Sequence, residues 1–141
     1  MTDVVPFNPG SSLVQNYISG TKTADVTGNT LSGCDKFTAV NMQVTVASIG
    51  GTSPTLNVYL QQLAADGSKW YDIASMTQIT ANGDYMLCYV SAGSSNFTTT
   101  TGSLTAGTIR TVPMGRFQRV HCDLGGTSPT MVLTVGLEYI E

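Results

Sequence analysis

The sequence predicts an all-β protein, an antiparallel β-sandwich of jelly-roll-like or Ig-like form, on three observations. Apolar residues recur at every second position in several stretches, and no stretch sustains a helical period. Turn residues also punctuate the chain at intervals of roughly 10 to 18 positions. Alternation marks a strand with one buried face, and regular turns join such strands into two packed sheets. A chain of 141 residues fits one domain and can bury a core without metal or crosslinks.

Residues 1–33, with Pro6, Pro9 and glycines at 10, 20, 28 and 33, read as an N-terminal arm with one or two edge strands, near residues 13–18 and 24–30. The sandwich domain then spans residues 34–141. Over residues 40–46, Val40, Met42, Val44 and Val46 alternate with Asn41, Gln43 and Thr45. The segment GGTSPT follows at residues 50–55. Its glycines supply positive φ, its hydroxyls can bond nearby backbone, and Pro54 fixes φ near the turn value. Leu56, Val58 and Leu60 then resume the alternation, so the two flanks are predicted to pair as an antiparallel hairpin.

Asp66-Gly67 signals a turn before a strand containing Trp70 and Ile73, and Asn82-Gly83 signals another between residues 76–79 and 85–90. These strands are predicted to form a meander. Residues 91–108 (SAGSSNFTTTTGSLTAGT) are low in complexity and read as a long exposed loop. Gln118, Val120, Cys122 and Leu124 alternate before a second GGTSPT at residues 125–130, and Met131, Leu133, Val135, Leu137 and Tyr139 alternate after it. A second hairpin is expected, with Pro54 and Pro129 at the same end of the domain. The predicted core takes Val40, Met42, Val44, Val46, Leu56, Val58, Leu60, Trp70, Ile73, Val120, Leu133, Val135 and Leu137.

Charged residues make up 11% of the chain, less than half the usual share, and the net charge is −3. The six basic residues, Lys22, Lys36, Lys69, Arg110, Arg116 and Arg119, are mostly dispersed, which argues against nucleic acid or anionic membrane as the main partner. A neutral, hydroxyl-rich surface suits a protein that covers itself in an assembly. No apolar run is long enough to span a bilayer, and the first residues lack a basic and an apolar signal region, so no secretion signal is expected. Cys34, Cys88 and Cys122 match neither a disulfide framework nor a zinc site, and all three are expected to be buried thiols.

No catalytic, cofactor-binding or metal-ligating residue is assigned. His121 is the only histidine and lies beside Cys122 and Asp123, but adjacent strand residues point to opposite faces, so a triad or metal site would need distant partners. Asp66 and Asp84 sit at turns, and nothing pairs Asp72 with another carboxylate. GGTSPT lacks the lysine and following helix of a phosphate loop. Trp70, Tyr71 and Tyr59 could form an aromatic platform for sugar, although packing at the core is the stronger reading of Trp70.

Three segments in order, GGTSPTLNVYLQQLAADGSKWYDIAS, TQITANGDY and GRFQRVHCDLGGTSPTMVLTVGLEY, resemble a pattern common among small structural proteins of tailed bacteriophages. The resemblance covers roughly residues 40–139. It implies a non-enzymatic β-sandwich virion component without cofactor, most similar to head decoration or cement proteins. Such a protein would sit on the capsid exterior after assembly in the host cytoplasm. Its implied partners are the major capsid protein and copies of itself, a trimer being the first expectation. A neck, tail or fibre protein is the alternative, and a carbohydrate-binding module the third. The expected interface residues are Val4, Val5, Pro6, Phe7 and Pro9 in the arm, and Phe97, Thr98, Thr99 and Thr100 in the long loop.

Overall fold

Two long strands carry the fold. β5 (Ala39–Leu63) and β8 (Phe117–Ile140) pair antiparallel from Ala39 against Ile140 to Gln62 against Gln118. The structure, a computed structural model, describes residues 4–6, 12–91, 105–110 and 112–141, with residues 4–6 and Ser12 described by backbone alone. The remaining strands are β1 (Val4–Pro6), β2 (Ser12–Lys22), β3 (Val26–Thr27), β4 (Thr30–Ser32), β6 (Trp70–Ser75) and β7 (Gly83–Val90). One 3-10 turn, Cys34–Lys36, is the only helical element among the described residues. Pairing is antiparallel except where β1 runs parallel to β4.

The β5–β8 ribbon is folded back on itself. Tyr139 Oη donates to Gln118 Oε1 at 2.6 Å, although both lie on β8, 21 residues apart. A straight strand would hold them roughly 70 Å apart. The fold-back divides one continuous eight-stranded sheet into two facing parts, each four strands wide, called here sheets A and B. In sheet A, β2, the C-terminal half of β8, the N-terminal half of β5 and β7 lie side by side. In sheet B, β3 and β4 flank the N-terminal half of β8, followed by the C-terminal half of β5 and β6. The inward side chains of both sheets form one core, which makes the molecule a sandwich with shared central strands.

The corner is where the two GGTSPT segments meet. Gly50 pairs with Thr130, Thr52 with Thr127 and Thr55 with Gly125, with register shifts on either side of Thr52. Each copy therefore opposes the other in an approximate two-fold arrangement. The predicted hairpins are corrected here: the flanks of each GGTSPT continue as one strand and pair with the other strand, not with each other. The turn chemistry is nevertheless used, because both strands must bend sharply. Gly51 (φ 110°) and Gly126 (φ 96°) take left-handed conformations, as do Ser53 (φ 50°) and Ser128 (φ 49°). A Cβ on Gly51 would lie 2.7 Å from the Ser128 carbonyl oxygen, and one on Gly126 would lie 2.6 Å from that of Ser53. Only glycine permits so close a crossing of backbones. Both prolines do lie at one end of the domain, and most of the corner is exposed.

The meander is also corrected. β6 pairs with the sheet B half of β5 and β7 with the sheet A half, so the connection between them crosses from one sheet to the other. Of residues 76–79, only Ile79 makes a ladder contact, a single bridge to Leu56. The Asp66-Gly67 turn forms as expected: Gly67 N donates to Ala64 O, and Asp66 accepts from the Ser68 amide and hydroxyl, which lower its carboxyl pKa. Residues 12–32, read from the sequence as part of an arm with one or two edge strands, form β2, β3 and β4 along the outer side of β8 in both sheets and send Ile18 and Leu31 into the core.

Every predicted core residue except Trp70 is buried, joined by Leu31, Phe37, Met131, Tyr89 and Tyr139. Each such aliphatic side chain contributes about 1.5–3 kcal/mol by leaving water. Among the described residues, no buried side-chain nitrogen or oxygen lacks a hydrogen-bond partner. Gln118, fully buried, accepts from Tyr139 and donates to Gln62 Oε1, which also accepts from the Gly115 amide at 2.7 Å. Burial pushes the Tyr139 phenol well above its ordinary pKa, so it stays a donor.

Candidate functional surfaces

The two sheets present different outer faces. On sheet B, alternation brings Tyr59 and Gln61 of β5 beside Arg119, His121 and Asp123 of β8, with Trp70 and Asp72 of β6 on one flank and Thr27 of β3 on the other. These groups bond to one another. Arg119 Nε donates to Gln61 Oε1 at 2.7 Å, Gln61 Nε2 donates to Asp72 Oδ1 at 2.8 Å, and the guanidinium lies 4.2 Å above the Trp70 ring. Trp70 is thus half-buried on the outer face, stacked under a cation, and not in the core. One face of its indole is already occupied, which removes that side from any sugar platform. Burial lowers the Arg119 pKa, with Tyr17 and Asp72 acting in the opposite direction. Tyr71 lies one position along β6, half-buried, while Tyr59 stacks on His121 with ring centroids 6.4 Å apart.

His121 has close partners after all. Its Nε2 lies 2.6 Å from Asp123 Oδ1 and its Nδ1 2.7 Å from Thr27 Oγ1, giving a Thr-His-Asp chain across β3 and β8. Asp25 completes a group whose donor atoms all lie within 4.8 Å of one another. Two carboxylates and an imidazole form a donor set that could hold a divalent cation. Here each ligand is already engaged, since Asp25 Oδ1 also accepts from the Leu124 amide at 2.8 Å. Cys122 points the other way, as the sequence requires. Asp123, two residues from His121, shares its face, and that His-x-Asp spacing was the readable signal. Thr27 and Asp25 could not be found in the same way, because only strand pairing brings them near.

The outer face of sheet A has the opposite character. Its cross-strand rows are Glu138, Asn41 and Cys88, then Gly136, Gln43 and Met86, then Thr134, Thr45 and Asp84. One side-chain bond crosses it among the described residues, from Thr45 Oγ1 to Asp84 Oδ1 at 2.7 Å. Leu13 (63%), Met86 (69%), Val90 (63%) and Val132 (37%) are exposed on or beside it. With no side chain on Gly136, a shallow groove of about 430 Å³ runs between Leu13, Gln15 and Asn16 on one side and Met86 on the other. Such a combination of loose apolar side chains and uncharged polar rows suits docking against another protein.

The cysteines divide as well. Cys34 and Cys122 are buried as expected, and burial pushes both thiols up to about 12. Cys88 corrects the expectation for the third, since it is exposed on the outer face of β7.

Among the interface residues expected from the sequence, Val4, Val5 and Pro6 form β1 against Thr30–Ser32. Phe7, Pro9, Phe97, Thr98, Thr99 and Thr100 lie outside the described residues, as does most of the loop at 91–108. No helix among the described residues is long and apolar enough to cross a membrane. No protein-family model, curated protein or solved structure matches the chain.

Proposed function

We propose that the protein is a non-enzymatic structural component of a phage virion, a head decoration or cement protein that docks on the major capsid protein through the outer face of sheet A. The observation that carries this reading is the exposure of Leu13, Met86 and Val90 around a sheet face with few charges. A cement protein stabilises a shell by adding many modest contacts over a broad area. A flat, weakly charged sheet face offers such contacts, and the low charge content and phage-like segment order support the same role.

Binding to purified expanded heads that lack the protein tests it. Leu13→Lys combined with Met86→Lys is expected to abolish occupancy while the thermal unfolding midpoint stays unchanged. Deletion of residues 1–10 measures what the arm adds. Full occupancy by the double variant would overturn the docking face, and localisation to tail or neck in electron micrographs would overturn the head assignment.

A further inference from the structure

Four edges bound the two sheets, and three are closed by recognisable devices. β2 breaks register between Val14 and Ile18, with Asn16 at φ 52° inside the break. On sheet B, β3 and β4 are two and three residues long, and β1 covers β4. β6 is covered by residues 108–110: Ser75 N donates to Thr108 O, Arg110 N donates to Ile73 O, and Ala74 bridges Ile109. Bulges, short strands and covering segments are the usual ways in which sheet edges avoid pairing with other chains.

Among the described residues, β7 has none of them. It runs eight residues, GDYMLCYV, in unbroken register against β5, with no proline or lysine and one charged residue, Asp84, near its start. Among the described residues no backbone hydrogen bond reaches its outer side. A space of about 520 Å³ separates that strand from Met76, Thr77, Gly107 and Ile109.

We propose that β7 pairs with β7 of a second copy, antiparallel about a two-fold axis at Leu87, joining two four-stranded A sheets into one of eight strands. A two-fold axis normal to the sheet matches outward residues with outward ones only when it passes through a residue. Axes at Met86 and at Leu87 give the same seven-residue overlap within β7, and the one at Leu87 holds the two Asp84 carboxylates farther apart. Leu87 then faces the partner's Leu87, Tyr85 faces the partner's Tyr89, and Met86 faces the partner's Cys88. Asp84 faces the partner's Val90, which keeps the two carboxylates about 20 Å apart. The alternation that serves one sandwich serves its mate, so the strand complements itself without a new sequence. This places a two-fold where the resemblance led to a three-fold expectation, and it holds whatever the assembled pair docks against.

The test combines light scattering after size exclusion with a register-specific crosslink. The wild-type chain is expected to run as a dimer. Met86→Cys should give a covalent dimer under mild oxidant, because directly opposed Cβ atoms lie about 4.5–5.5 Å apart. The crosslink should vanish when Cys88→Ser is added. Met86→Lys with Val90→Lys, both at exposed positions, should weaken the dimer at least about tenfold while leaving the fold intact by circular dichroism. A monomer at high concentration, a trimer indifferent to the lysine pair, or a crosslink that persists without Cys88 would each overturn the proposal.

Discussion

The outer faces of sheets A and B come from opposite halves of the same two strands, yet they spend their bonding capacity differently. On sheet B, Arg119, Gln61, Asp72 and Trp70 satisfy one another, and His121 is held between Asp123 and Thr27. On sheet A, Asn41, Gln43 and Thr134 surround apolar side chains that touch little, and Met86 is 69% exposed. A face whose polar groups are mutually bonded has little left to offer a partner, whereas a loosely bonded one loses little on being covered. Richness in functional side chains is therefore a poor guide to which face works. His121 lies on the face that looks chemical, while the face proposed for docking is made of Met, Val, Thr and Gln.

The strongest way to break the comparison is to break the corner that creates two faces. Gly51→Ala or Gly126→Ala combines left-handed strain with a backbone clash and should cost about 3 kcal/mol or more in chemical denaturation. Gly20→Ala is the control, since Gly20 has φ 100° but open space around it; a loss of about 1 kcal/mol is expected there. Next comes the bond that ties the ends of β8 together. Tyr139→Phe leaves Gln118 Oε1 buried without its donor and should cost about 1–3 kcal/mol by the same assay.

Within the faces the expected effects are smaller and of opposite kind. Arg119→Ala on sheet B should lower stability by about 1 kcal/mol, through the lost stacking on Trp70 and the lost bond to Gln61. Met86→Lys on sheet A should change stability by less than about 0.5 kcal/mol, and its consequence should appear only in association. Thiol labelling sharpens the contrast without any substitution. At pH 8 the native protein should react at Cys88 alone, because Cys34 and Cys122 are buried and raised to about 12; mass spectrometry would count one adduct folded and three unfolded.

The strands were largely legible in the sequence, because period-2 alternation reports burial directly. What alternation does not report is the partner. Val40 to Val46 and Leu56 to Leu60 look the same whether they pair with each other around a turn or each pair with β8 beyond a bend. Glycine, serine and proline suit both outcomes. The second GGTSPT held the missing clue, since identical segments laid antiparallel place each copy's glycine against the other's serine and proline. Alternation also fails where both faces of a strand are apolar. In β7, Leu87 and Tyr89 point inward while Met86, Cys88 and Val90 point outward, and hydrophobicity alone could not choose between the sets. Trp70 was misplaced for a related reason: its cover is Arg119, a residue on another strand far along the chain.

The folded ribbon also governs when this protein can exist. Every rung of its central ladder joins distant parts of the chain, the nearest being Gln62 with Gln118 and the farthest Ala39 with Ile140. Such pairings form slowly, and no early portion of the chain can form them alone. A nascent polypeptide would hold β5 with β6 and β7, which pair with it, but would lack the strand that pairs with β2, β3, β4 and β5, and both sheets would close together once β8 leaves the ribosome. Premature termination before β8 would therefore leave β2, β3 and β4 without their partner strand and β5 with an open edge, an incomplete chain for proteases to clear.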